Sequence, residues 1–402
     1  MNIQRQNVLI ILYFISANLF AQGNWNQRSN FAGGARREAV GFSIGNKGYI
    51  GTGICISGMN VFYYKDFWEW DATTNVWTQR SDFGGGPRIA AIGFSIGAKG
   101  YLGTGGDTLS GRANDLWEFD PAANVWTQKT NLNGMGRYYA TGFSIGTKGY
   151  VGTGNYQGFI NDLWEYDPAL DTWTQRSGFS GGAREHAAGF SIGNKGYIGL
   201  GGDSVLRSDL WEFDPVMNSW TQKANFIGTP REGVVEFTIG SRAYLVSGYD
   251  GNFSNELWVW DQPSDSWSQL LGLPAGGRHG ASGFAIGNKG YVGTGHNGPF
   301  TFYDDFWEYD PGISLIEDQE YHDQINIYPN PFSFNASLNI TGEFSDANLI
   351  IYDITGNVVR EIKNISNRDL LLERGELPAG SYYLQLQQKR GVTASKKILI
   401  ID

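Results

Sequence analysis

One cysteine, Cys55, in 402 residues excludes an intrachain disulfide framework and leaves a lone thiol that reports nothing about redox compartment. Positive charge is also short. Thirty lysines and arginines face forty aspartates and glutamates, a net charge of −10, which argues against a nucleic-acid backbone or an anionic membrane as a general partner. Only four histidines occur, His186, His279, His296 and His322, with no cysteine-rich ligand spacing beside them, so neither a metal nor a cofactor is expected. No Ser-His-Asp arrangement and no phosphate-cradling glycine loop stands out. Beyond residue 22 no apolar run approaches the ~20 residues that a membrane-spanning helix needs, so the mature chain is expected to carry no transmembrane segment.

What the chain has in abundance is glycine, 57 residues, and aromatic side chains, 15% of the total. Turn formers combined with large flat apolar anchors favour an all-β fold over a helical one. The first residues read differently. Arg5 precedes the apolar run Val8 to Ile15, and Ala21 stands just before Gln22. A basic front, a short apolar core and a small-residue end make residues 1–21 an expected secretory signal peptide.

From there a unit of 47 to 52 residues repeats six times. W-T-Q or a close relative recurs at Trp25, Trp77, Trp126, Trp173, Trp220 and Trp267; D-L-W-E or a variant recurs at Trp68, Trp117, Trp164, Trp211, Trp258 and Trp307. In the copy from Arg137 to Gln175, four short strands are expected, Ala140 to Ile145, Gly149 to Gly152, Leu163 to Tyr166 and Thr172 to Gln175, separated by Gly, Asn and Asp-Pro turns. That period fits a four-stranded propeller blade. The array opens with an orphan W-T-Q strand at Trp25 and closes with D-F-W-E-Y-D-P lacking its fourth strand, so the strand around Trp25 is expected to pair with blade 6 and close the ring.

An arginine before strand 1, a strand ending in G-G or G-x-G, then D-L-W-E-Y-D-P and W-T-Q resemble the kelch repeat, and the resemblance covers residues 22–311. It implies a six-bladed kelch-type β-propeller. Blade 5 departs from the pattern, with Ser241, Arg242 and Ala243 where other blades read Asn/Ala/Thr-Lys-Gly.

Antiparallel parity puts the loops joining strands 2 and 3 on the same face as the loops joining successive blades. These loops differ between blades, and variable loops on a repeated frame are where function usually sits. Six arginines, Arg36, Arg88, Arg137, Arg184, Arg231 and Arg278, precede strand 1. They are expected either to cap the blades through backbone carbonyls or to present guanidinium forks to an anionic ligand. Aromatics in the same loops, Tyr156, Phe159, Tyr249, Phe253, Phe300 and Phe302 among them, are expected to stack on that ligand. Sialic-acid mutarotases are six-bladed kelch enzymes that pair an acid with an arginine, and Glu185 and Glu232, which follow Arg184 and Arg231, are the corresponding weak catalytic candidates. Glu236 stands where other blades carry a strand-1 glycine. Copper radical oxidases of the galactose oxidase type are also kelch propellers, but the four histidines show no clustering in the sequence.

After residues 312–324, read as a linker, residues 325–402 offer about seven β segments, with Thr355-Gly356-Asn357 as a turn between two of them. The expectation is a small Ig-like antiparallel β-sandwich. I-Y-P-N-P-F from Ile327, I-Y-D-I-T-G-N-V-V from Ile351, L-P-A-G-S-Y-Y-L from Leu377 and K-K-I-L-I from Lys396 resemble the type A C-terminal sorting domain of the Bacteroidetes type IX secretion system. That resemblance implies delivery by this machinery to the cell surface or the medium. The combined expectation is an exported propeller that binds an extracellular glycan or protein, or mediates adhesion, with a carbohydrate-active enzyme such as a sugar epimerase as the alternative.

Overall fold

The computed structural model describes residues 23–107, 111–312, 325–341, 347–353, 358–388 and 391–402. Residues 1–22, most of the expected linker and the Thr355-Gly356-Asn357 turn lie outside these.

Blade 3 shows how the repeat folds. Its strands are Thr141–Ile145, Lys148–Gly152, Leu163–Asp167 and Thr172–Arg176, paired antiparallel in chain order. Gly146 sits in the tight turn between the first two strands with φ 58°, and Asp171 in the turn between the last two with φ 52°. Side chains alternate between the two faces of the blade, and both faces meet a neighbouring blade. Blades approach closely because of one repeated glycine: a Cβ on Gly149 would lie 2.5 Å from the ring of Phe94 in blade 2. Burial of rings such as Phe94, Tyr101, Tyr150 and Tyr166 supplies roughly 4 kcal/mol each, from about 150 Å² of apolar surface at ~25 cal/mol per Å².

Six such four-stranded sheets form the ring, with first strands packed against one another at the axis. The fourth strand of blade 6 comes from the other end of the chain: Asn24–Arg28 pairs with Phe306–Asp310, Trp25 opposite Tyr309. Two sixfold circuits of hydrogen bonds then join the blades. In the outer circuit each W-T-Q indole donates to a carbonyl of the preceding blade, Trp77 to Ser29 at 3.0 Å, Trp173 to Thr130 at 2.9 Å and Trp25 to Leu271 at 2.9 Å among them. In the inner circuit a backbone N–H of each blade donates to the carbonyl of the repeated arginine in the next, Gly154 to Arg184 at 2.8 Å and, across the closure, Gly295 to Arg36 at 2.7 Å.

The C-terminal unit has two antiparallel sheets. Ile325–Tyr328, Asn335–Ile340 and Asp369–Glu373 form one; Val358–Ile365, Ala347–Tyr352, Gly380–Gln388 and Gly391–Ile400 form the other. Alternate residues Ala336, Leu338 and Ile340 face Leu349, Ile351, Leu384 and Leu386 in a shared core, the arrangement of a β-sandwich.

Candidate functional site

The six repeated arginines are not at the site. All are buried, and each guanidinium is taken up inside its own blade. Arg88 forks onto Asp115 at 2.7 and 2.9 Å, Arg184 onto Asp209 at 2.6 and 2.9 Å, and Arg278 onto Asp305 at 2.6 and 2.9 Å. Arg36 pairs with Asp66 and Arg137 with Asp162 in the same way, while Arg231 uses Glu256 and the Ser254 hydroxyl. The same carboxylates accept from the D-L-W-E indoles, as Asp162 does from Trp164 at 2.8 Å. The expectation that these arginines meet an anionic ligand is corrected accordingly: an Arg–carboxylate–Trp bridge locks each blade, and no fork is left facing solvent.

The predicted aromatics divide. Tyr64 and Tyr303 lie over the guanidinium groups of Arg36 and Arg278 and belong to the frame. Phe300 is 70% exposed at a loop tip, and Tyr156 and Phe159 are each 38% exposed. Tyr249, Phe253 and Phe302 converge instead. Tyr249 and Phe253 rings are 5.2 Å apart, and Phe253 and Phe302 flank His296 at 5.3 and 6.1 Å.

Their meeting point is set by the two residues after each arginine. The first of these, Arg37, Ile89, Tyr138, Glu185, Glu232 or His279, bridges to the end of strand 2 on the variable-loop face. The second, Glu38, Ala90, Tyr139, His186, Gly233 or Gly280, adopts a left-handed backbone with φ between 51° and 62° and stands at the axis. Four of these six are not glycine, a conformation that costs roughly 1 kcal/mol apiece. The two glycines make room: a Cβ on Gly233 would lie 2.2 Å from His279 Nε2, and one on Gly280 would lie 2.6 Å from Glu38 Oε1.

The result is a recessed cup of side chains, with those on its floor between 10% and 27% exposed. Tyr139 stacks on His186 with ring centres 3.6 Å apart, His186 lies 5.2 Å from His279, and His279 5.4 Å from His296. His279 Nδ1 stands 3.8 Å from Glu38 Oε1, His186 Nδ1 stands 4.0 Å from Glu232 Oε2, and Arg37 donates to His296 Nε2 at 3.1 Å. Arg112 covers Tyr138 and Tyr156 on the wall. Three histidines that look scattered in the sequence are thus neighbours. No group of three or more metal-ligating side chains among the described residues is arranged to hold a metal ion.

Burial controls the charges here. It pushes the Glu38 carboxyl up to about 7, with Glu232 and Glu185 adding to the shift and Arg37 opposing it. Burial also raises Glu185 and Glu232, the latter further through Glu185. The histidines move the other way: burial lowers His279 to about 4 and holds His186 well below its ordinary value, with neighbouring His279 and Arg37 contributing. His296 is lowered by burial as well. At neutral pH all three imidazoles are therefore uncharged. Both ring nitrogens of His186 and Nε2 of His279 are buried without a hydrogen-bond partner. Glu185 and Glu232 do face the cup, but away from Arg184 and Arg231, so the acid–arginine pairing expected for a mutarotase is not formed with those residues.

Just below the floor, small residues of the six first strands line a cavity of about 150 Å³ that contains the Glu236 side chain. Burial pushes this carboxyl up to about 7, and the Gly189 N–H reaches it at 3.4 Å.

Residues 326–401 match the secretion system C-terminal sorting domain. The chain is therefore exported through the type IX system, to the cell surface or beyond. The sorting domain coincides with the C-terminal sandwich, and the cup lies wholly in the propeller that it delivers. That propeller is similar to the solved structure of YjhT, with a TM-score of 0.59 at 17% identity over 69% of this chain and 95% of that chain. The likeness establishes the six-bladed kelch-type fold and nothing about ligand. No curated protein matches the chain.

Within the propeller, sequence reasoning identified Glu185, Glu232, Tyr249, Phe253 and Phe302 but passed over Arg37, Glu38 and Tyr139. The signal was available: between each repeated arginine and the Ala or Val that follows, two positions vary freely, R-R-E-A, R-I-A-A, R-Y-Y-A, R-E-H-A, R-E-G-V and R-H-G-A. Variation flanked on both sides by repeated residues marks side chains that the frame does not use.

Proposed function

We propose that the protein is an exported binding module that takes a polar group of an extracellular glycan or protein into the cup at the mouth of the propeller channel. One observation carries the reading: ring nitrogens of His186 and His279 lie recessed at a single place without hydrogen-bond partners, with the Glu38 carboxyl 3.8 Å from His279 Nδ1. Unsatisfied buried polar groups cost on the order of 1–3 kcal/mol each, and a bound ligand that pairs with them recovers that loss. Tyr249, Phe253 and Phe302 supply apolar walls on which a sugar face or an aliphatic side chain packs. Glycan and peptide arrays probed with the intact chain test this, with Tyr249→Ala and Phe253→Ala as the site variants. Bound ligands are expected to be lost from both variants at unchanged melting temperature; retention on both would move the site elsewhere.

A second reading, proton transfer on a sugar, is favoured by the acid of Glu38 held near neutral beside uncharged His279. Titrating groups with opposed shifts at one mouth are the arrangement of a general acid and base. Interconversion of sugar anomers, sialic acid included, followed by NMR with and without the protein is its test. No acceleration at any pH between 5 and 8 would dismiss it.

A further inference from the structure

The ligand's chemistry can be narrowed, on the footing that the cup is the binding site. The groups facing the cup are Arg37, Glu38, Tyr139, Glu185, His186, Glu232, His279, His296 and, on the wall, Arg112. Three are carboxylates, and each is destabilised by burial; Glu232 and Glu185 also act on Glu38, and Glu185 on Glu232. The three imidazoles add no positive charge at neutral pH. Of the two arginines, Arg37 donates to His296 and favours ionised Glu38, and Arg112 lies over Tyr138 and Tyr156 and favours ionised Glu185, which leaves the three carboxylates one positive charge short.

The decisive feature is Glu38. Its side chain is only 10% exposed, it sits on the floor, and it lies 3.8 Å from the nitrogen of an uncharged imidazole. Among the described residues no hydrogen bond to its carboxylate is present. Arg37 is the one cation that favours its ionised form, and burial outweighs that attraction, so the carboxylate is under-compensated. Glu232, with its carboxylate 4.0 Å from His186 Nδ1, stands on the same floor. His186 adds an imidazole nitrogen that has no donor.

We infer that the cup recognises a protonated primary amine, whose three N–H donors are met by the Glu38 and Glu232 carboxylates and the His186 imidazole, between the aromatic walls of Tyr249 and Phe253. An ammonium group has three donors and no acceptor, which matches the oxygens of the two carboxylates and the unprotonated ring nitrogen of His186. It is also drawn to the faces of aromatic rings. The amine can belong to an amino sugar or to a lysine side chain. Both present the same head group, and the six-arginine anion site that would have favoured an acidic ligand is absent.

The test is calorimetry on the intact chain at low ionic strength with four probes: glucosamine, N-acetylglucosamine, Nα-acetyl-lysine methylamide and its Nε-acetylated form. The free amines are expected to bind at least tenfold more tightly than their acetylated partners. Preference for glucosamine over the lysine derivative would point to a glycan, and the reverse to a protein ligand. Glu38→Gln and Glu232→Gln keep side-chain size and are each expected to weaken amine binding at least tenfold, with the melting temperature serving as the folding control. Arg112→Ala removes a competing cation and is expected to strengthen it several-fold, a gain that loss of structure cannot produce. Affinity for the lysine derivative, whose amine stays protonated through this range, should rise from pH 5 to pH 8 as the carboxyls ionise. Equal binding of acetylated and free amines, or unchanged affinity in both Gln variants, overturns the inference while leaving the cup a binding site. If, in addition, no array ligand depends on Tyr249 or Phe253, the binding proposal falls with it.

Discussion

At the scale of residues, the chain separates side chains that build from side chains that face the axis, and neighbours in sequence have opposite fates. Arg137 is buried on Asp162, while Tyr138 and Tyr139 beside it line the cup. Truncating Arg137 to alanine would leave Asp162 with the Trp164 indole but no counter-charge, and a loss of about 3 kcal/mol is expected, read as a fall of several degrees in melting temperature. The pH response belongs to this scale too. Glu236 titrates from an ordinary 4.5 to about 7 in the fold, so its favourable share of stability is full below pH 4.5 and is lost as pH rises through 7. Glu236→Gln should therefore melt a few degrees higher than the native chain at pH 8 and alike at pH 4. His279 has the opposite sign: lowered from 6.5 to about 4, it contributes above pH 6.5 and loses that contribution as pH falls through 4.

At the scale of elements, the strand Asn24–Arg28 carries the most weight for its length. Without it Phe306–Asp310 becomes an edge that lacks its fourth-strand partner, and the outer hydrogen-bonded circuit loses the Trp25 indole. A chain lacking residues 22–28 is expected to melt earlier and to associate through that edge, visible by light scattering, and a peptide of those residues should reverse both effects. The loops between strands 2 and 3 show the converse. They share backbone bridges in all six blades, yet blades 5 and 6 place Tyr249, Phe253, His296 and Phe302 over the axis while Phe62 and Phe300 point outward. Composition alone, aromatic in every case, could not rank them.

At the scale of the whole molecule, the sorting domain and the propeller that carries the cup are separate units. Removal of residues 325–402 is expected to leave a folded propeller that stays within the cell envelope, followed by fractionation and immunoblotting; appended to another exported protein, the same residues should carry it outward.

Period, strand positions and the sorting motifs were legible from the sequence because each is a local pattern repeated or ordered along the chain. The W-T-Q and D-L-W-E motifs count six blades along the chain. Only the tertiary structure decided which repeated residues are scaffold and which are free. Arg88 meets Asp115 from 27 residues away, and Glu38 meets His279 only because the ring closes on itself across 241 positions. Burial then set their charge, making a near-neutral acid of Glu38 and neutral bases of the histidines. Distance through the ring and loss of solvent are properties of the closed fold, which a linear pattern does not contain.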